Sequence, residues 1–206
     1  MSTRALGPRA LAVTRALAPV VAEALDGALR VRAACSGGPD SLALAAEPGA
    51  AGLVHVPYLE GERTPNLPEA TGILTGMTLA SLTPENYARA AVEGLLCLMG
   101  ACLDAVRAQG VAIEAVSLVG GGVKWVSARK LAPAVLGVPV DVPPADEYVA
   151  VGAARQAAWA LAGGEEPPAW EIAGVEHLTA APAPEVRAAY DRAAGAAARL
   201  ARGQGA

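Results

Sequence analysis

Residues 115–125, AVSLVGGGVKW, run an apolar stretch straight into three consecutive glycines, and this junction constrains the fold more than any other feature of the chain. A helical stripe at Leu131, Val135 and Leu136 follows, then the short run VPVDV, then a second helical stretch from about Val149 to Leu161. Strand, glycine turn, helix, strand and helix in that order predict a parallel α/β sheet, because parallel neighbours need a crossover and a helix is the usual one. Only glycine lets backbone come close to a ligand directly after a buried strand, and the helix behind it offers free N–H groups. Gly120, Gly121 and Gly122 are therefore candidate ligand contacts, with an ordinary tight turn as the other reading.

Upstream, Leu11, Ala16, Leu17, Val20, Val21, Ala24 and Leu25 predict an amphipathic helix within residues 8–30, and LRVRAAC alternates from Leu29 as a short strand would. The loop SGGPDS interrupts it, LALAA begins a helix, and Pro48 and Gly49 end that helix after little more than one turn. A second unit opens with GLVHVPYL, read as a buried strand entering the loop EGERTPNLP. In that loop Glu60, Glu62 and Arg63 are expected to form an ordering ion pair. Residues 83–109 predict the longest helix, with Thr83 as N-cap, Pro84 in the first turn and Gly110 as its end. Tyr87, Ala91, Leu95, Leu98, Cys102 and Ala105 form one apolar row and Val92, Leu96, Met99, Leu103 and Val106 a second, so this helix is expected to be covered on more than one side. Glu93 is the charge in its central stretch, facing either a cleft or a structural partner. Residues 162–182 read as loop, and Val186, Tyr190, Ala193, Ala197 and Leu200 stripe a last helix from Pro184.

Hydrophobic residues make up 53% of the chain and charged ones 17%, which is globular, and with no Phe the core must be aliphatic. A net charge of -4, with only Lys124 and Lys130 as lysines and no basic block, argues against nucleic acid as a partner. Cys35, Cys97 and Cys102 have neither disulfide nor zinc spacing, and no metal site is assigned. His55 and His177 are read as structural or surface residues. No signal peptide or run of about 18 uncharged apolar residues is present, so the expectation is a cytoplasmic protein with no membrane partner.

Two loops carry chemistry. In CSGGPDS the backbone N–H groups of a glycine-rich strand-to-helix turn could surround a phosphate, Ser36 and Ser41 could donate hydrogen bonds, and Asp40 could hold Mg2+. The string RVRAACSGGPDSLALAA resembles the PP-loop that opens tRNA(Ile)-lysidine synthetases. On that resemblance Ser36, Gly37, Gly38, Asp40 and Ser41 would bind the pyrophosphate end of ATP. The match covers residues 10–46, without the rest of that family's sheet or its basic tRNA-binding region.

The other resemblance is longer. GLVHVPYLEGERTPNLPEATGILTG, the A-x-x-E-G helix, VSLVGGGVKW and VGAARQAAW occur in the order found in the C-terminal domain of FGGY-family carbohydrate kinases, and are most similar to xylulokinases. This resemblance implies an α/β fold: an incomplete actin-like, ribonuclease H-like ATPase lobe over residues 47–206, preceded by a truncated PP-loop-like segment at 1–46. It implies ATP and Mg2+ as cofactors, adenine nucleotide as the ligand of Gly120, Gly121 and Gly122, and Lys124 reaching either phosphate or solvent. Gly152, with Ala153 and Ala154, would let adenine approach the last helix of that cleft or simply pack it. Trp125 departs from the small or polar residue usual there, and could stack on a base or pack. No catalytic residue is assigned, because in this family the base and most of the sugar pocket belong to an N-terminal lobe. The expected activity, phosphorylation of D-xylulose or a similar sugar, would then need that lobe to be supplied. An adenylating fragment acting on tRNA and a non-catalytic remnant are the alternatives.

Overall fold

The computed structural model describes residues 39–203. The helix expected within 8–30, the strand from Leu29, and Ser36, Gly37 and Gly38 lie outside the described residues.

The described residues begin with the short helix α1 (Pro39–Ala45) and a 3-10 turn (Ala50–Gly52), followed by β1 (Val54–Val56), β2 (Ile73–Thr75) and the long α2 (Pro84–Arg107). Next come β3 (Val116–Ser117), a 3-10 turn (Gly121–Lys124), α3 (Val126–Leu136), β4 (Val140–Val142), α4 (Tyr148–Ala162), β5 (Glu176–Leu178) and α5 (Pro184–Ala201). β1 and β2 pair antiparallel, with His55 opposite Leu74. β3 and β4 pair parallel through the α3 crossover, as the glycine junction predicts, with Val116 opposite Val140. β5 adds antiparallel to the far edge of β4, giving the order β3-β4-β5. The sequence carries no signal for β2, and β5 falls within residues 162–182, which read as loop. Each is three residues long and owes its conformation to the strand beside it rather than to alternation of its own.

α2 starts as its sequence dictates: the Thr83 side chain accepts a hydrogen bond from the Asn86 N–H, and Pro84 occupies a first-turn position where its missing N–H has no partner to lose. Its buried face differs from the expected one. Arg89, Ala90, Val92, Glu93, Gly94, Leu96, Cys97 and Gly100 are buried, whereas Tyr87, Leu95, Met99 and Val106 are exposed. An alanine-rich helix is apolar all round, so the deciding features are small residues and one satisfied ion pair. At Gly94 an added Cβ would lie 2.2 Å from the His55 carbonyl oxygen, which shows how closely β1 crosses the helix.

Glu93 takes the structural option. Its carboxylate pairs with Arg89 one turn earlier, and both are buried. It also accepts from the Gly49 N–H at 3.1 Å, while Arg89 donates to the Ala46 carbonyl at 2.9 Å. Two buried charges are thus paired and hydrogen-bonded, the condition under which such a pair is tolerated. Together they pin the segment that follows α1 onto α2.

Residues 39–46 share a core with the rest of the described chain. Ala43 is fully buried in the cluster that holds Val56, Tyr58, Leu96, Ala132 and Val140, and no break in packing marks the change in sequence character near Glu47. α5 docks through Val186, Tyr190, Ala193 and Ala197 as its stripe predicts, while Leu200 is exposed. Burial pushes the Cys97 thiol up to about 12, consistent with a small apolar core residue. In the EGERTPN loop the expected ion pair is replaced by a different device. The Glu62 carboxylate accepts from the N–H groups of Arg63 at 2.7 Å and Thr64 at 3.0 Å, and Arg63 is exposed. Among the described residues no helix is long and apolar enough to cross a membrane.

Candidate functional site

Leu118, just past β3, is buried and its N–H still bonds the Asp141 carbonyl at 2.9 Å, so the parallel pairing carries the chain to the edge of the glycine turn. Gly120 then adopts φ 95 and ψ -171, a conformation essentially closed to any residue with a Cβ. The 3-10 turn that follows is closed by the Trp125 N–H on the Gly122 carbonyl at 3.2 Å. Across from it runs the β4-to-α4 connection, PPADE, at the carboxyl end of the neighbouring parallel strand.

Between the two lies an open cleft of about 500 Å3, within the range of about 300–1,000 Å3 common for ligand clefts. Gly120, Gly121, Val123 and Lys124 form one wall, and residues 143–148 the other. A Cβ placed on Gly120, Gly121 or Gly122 would meet no atom within 4 Å. Protein packing therefore does not explain the second and third glycines, and Gly121 leaves bare backbone toward the cleft. A shallower groove of about 340 Å3 continues past Lys124 to Arg129 and Glu176, which pair at 2.9 Å.

The charges are mixed. Lys124 contributes one ammonium, and Asp146 and Glu147 contribute two carboxylates. Asp146 accepts from the Glu147 N–H at 2.7 Å, and the Tyr148 hydroxyl donates to the Pro144 carbonyl, so the second wall is internally braced. Sequence reasoning missed residues 143–148. The available signal was position: in open α/β sheets ligands bind beyond the carboxyl ends of parallel strands, and these residues follow β4 directly.

Of the predicted residues, Gly120, Gly121 and Lys124 line the cleft and Gly122 does not. Gly152 lies in α4, exposed, with open space where a Cβ would be, and is not part of the cleft wall. Trp125 is half-exposed at the start of α3. Ser41 lies within α1.

Asp40, a candidate Mg2+ or pyrophosphate ligand in the sequence, lies in α1 with its carboxylate against the start of α3. Its carboxylate accepts from the N–H groups of Val126 at 2.9 Å and Ser127 at 2.6 Å, the first free donors of α3. α3 has no side-chain cap of its own, because its N-cap position is Trp125. Burial alone would raise the Asp40 carboxyl, but hydrogen bonds from Ser127 and Val126 and the charge of Arg129 hold it below the ordinary carboxylate value. The pKa of His55 on β1 is lowered too, but by burial, which favours the neutral ring. His177 pairs with Asp141 at 2.7 Å across β4 and β5, away from the cleft wall.

The C-terminal domain of the FGGY family of carbohydrate kinases matches residues 12–161. A xylulose kinase of Streptomyces rubiginosus is 39% identical over 171 residues, which is 79% of this chain and 34% of that protein. The crystal structure of xylulose kinase from Bifidobacterium adolescentis superposes with a TM-score of 0.69 at 48% identity, over 92% of this chain and 35% of that one. A Plasmodium falciparum glycerol kinase solved with ADP, 16% identical, shares the fold with a TM-score of 0.59 over 86% of this chain and 36% of that one. This chain thus spans about a third of the length of the relatives it matches. With an α/β architecture whose structural neighbours are sugar kinases, and a family match running through both the glycine turn and the cleft wall, the chain belongs to the FGGY family of carbohydrate kinases, in its C-terminal domain.

Proposed function

We propose that this chain is the nucleotide-holding lobe of a xylulokinase-type sugar kinase, binding adenine nucleotide in the cleft between the Gly120–Lys124 turn and residues 143–148. The observation that carries this reading is Gly121: it lines the cleft with backbone, and a Cβ added there would meet no atom within 4 Å. ATP with Mg2+ would supply the phosphoryl group for a sugar hydroxyl, chemistry that depends on positioning and charge neutralisation. Gly120 and Gly121 would give the nucleotide a flat backbone wall, and Lys124 would neutralise phosphate charge. Asp146 and Glu147 are acceptors suited to ribose hydroxyls and unsuited to bare phosphate. Among the described residues no three His, Cys, Asp or Glu side chains gather into a metal-binding group, so in this reading Mg2+ arrives on the nucleotide.

The sugar, D-xylulose or a similar ketose, is phosphorylated only when an N-terminal kinase lobe is supplied. Thermal denaturation of the full chain with ADP and with Mg-ATP tests the binding half. An excess of about 100 Kd stabilises by about 2.7 kcal/mol, a shift of several degrees in Tm; no shift at millimolar nucleotide overturns it. D-xylulose-dependent ATP consumption by the isolated chain would overturn the other half.

A further inference from the structure

We infer that Asp40 is a positioning residue for the nucleotide cleft: it caps α3 from 86 positions away and so makes the glycine turn depend on the docking of α1. This rests on the function proposed above only where nucleotide affinity is read. The geometry itself stands apart from it.

Three observations converge. First, α3 follows the Gly120–Lys124 turn with a single residue, Trp125, between them, so the orientation of the helix start and that of the turn are one variable. Second, the N-cap side chain that ordinarily holds a helix start is missing, and both Asp40 oxygens take its place, one each on the Val126 and Ser127 N–H groups. Third, α1 is held at its other end by an independent clamp, since Arg89 bonds the Ala46 carbonyl and Glu93 the Gly49 N–H. A helix fixed to α2 at one end and to α3 at the other is a strut. It transmits the position of α2 to the wall of the cleft.

A carboxylate at this point also fills the place a phosphate would take on a free helix start. Lys124, and not the α3 N–H pair, is then left to meet a phosphate in the cleft. Asp40 thereby defines which end of the turn the ligand uses.

Amide hydrogen exchange on the full chain tests the strut without a ligand. Asp40→Ala should raise exchange at Trp125, Val126, Ser127 and Arg129 by roughly tenfold, the size a lost cap carries, while the central amides of α2 keep their protection. Asp40→Ala combined with Trp125→Asp, which restores a cap within α3, should return protection at Ser127. Unchanged exchange in Asp40→Ala, or loss of protection throughout α2 as well, overturns the inference. Titration with ADP is the second arm: Asp40→Ala should weaken binding by about the same factor, and equal affinity in the two proteins overturns the coupling. If the unaltered chain binds no ADP, the proposed function fails, and the exchange arm still decides whether Asp40 orients the turn.

Discussion

At Gly94, where α2 crosses β1, an added Cβ would lie 2.2 Å from a backbone oxygen, whereas at Gly121 it would meet nothing within 4 Å. Around Gly94 the structure is closed: Arg89 and Glu93 are buried and paired, and Leu96 and Cys97 join the core. Around Gly121 it is open. α4, which follows the far wall of the cleft, has no buried residue, and Val149 and Leu161 are about nine-tenths exposed. Both places use glycine for its missing side chain, but in one the protein fills the space and in the other it leaves it. A glycine demanded by the fold and a glycine available to a ligand look alike in sequence, and only the surrounding atoms separate them.

The contrast predicts a ranking. Arg89→Ala should be the most damaging change, because it strands Glu93 in the core; chemical denaturation should register a loss of about 3–5 kcal/mol. A cost under about 1 kcal/mol, typical of an exposed pair, would break the picture of a closed half. Gly94→Ala comes next, at about 3 kcal/mol, since the obstacle is backbone and one of two elements must shift. Gly121→Ala should leave stability within about 0.5 kcal/mol while weakening ADP roughly tenfold, the loss of about 1.4 kcal/mol of contact. Equal damage to stability and to binding would erase the distinction between the two glycines.

The smallest effect is on pH. Asp40 titrates below its ordinary value in the folded chain, so its stabilising contribution is complete above the unfolded carboxyl value of 3.8 and is lost as pH falls through the lower folded one. Asp40 is only partly buried, and solvent screening keeps the contribution below about 1 kcal/mol. Thermal scans between pH 2 and 5 should show a shallower acid limb for Asp40→Asn than for the unaltered chain. Identical limbs would remove Asp40 from the acid response.

What could be read from sequence follows the same division. Thr83 with Pro84, the stripe from Val186 to Ala197, and the apolar run ending in three glycines were legible because each is a local signal acting on its own element. The buried face of α2 was not. Its apolar rows cover most of the helix, and although Glu93 stands out in the sequence as a charge needing a cleft or a partner, that partner, Arg89, is of a residue type ordinarily found in solvent. β2 and β5 are too short to have a period. Residues 143–148 become a cleft wall only because α3 returns the chain beside β3, a relation that exists in the sheet and not along the chain.

The distant cap on α3 also bears on how the chain comes together. α2 has its start signal built in, Thr83 reaching Asn86 three residues on, so its first turn can close while the rest of the chain is still open. α3 has no such local closure. Its first N–H groups find Asp40 only after a loop of 86 residues has been drawn shut, so α3 should acquire its final start late, once α1 already rests on α2. The cleft wall would then be among the last parts of the described chain to take shape.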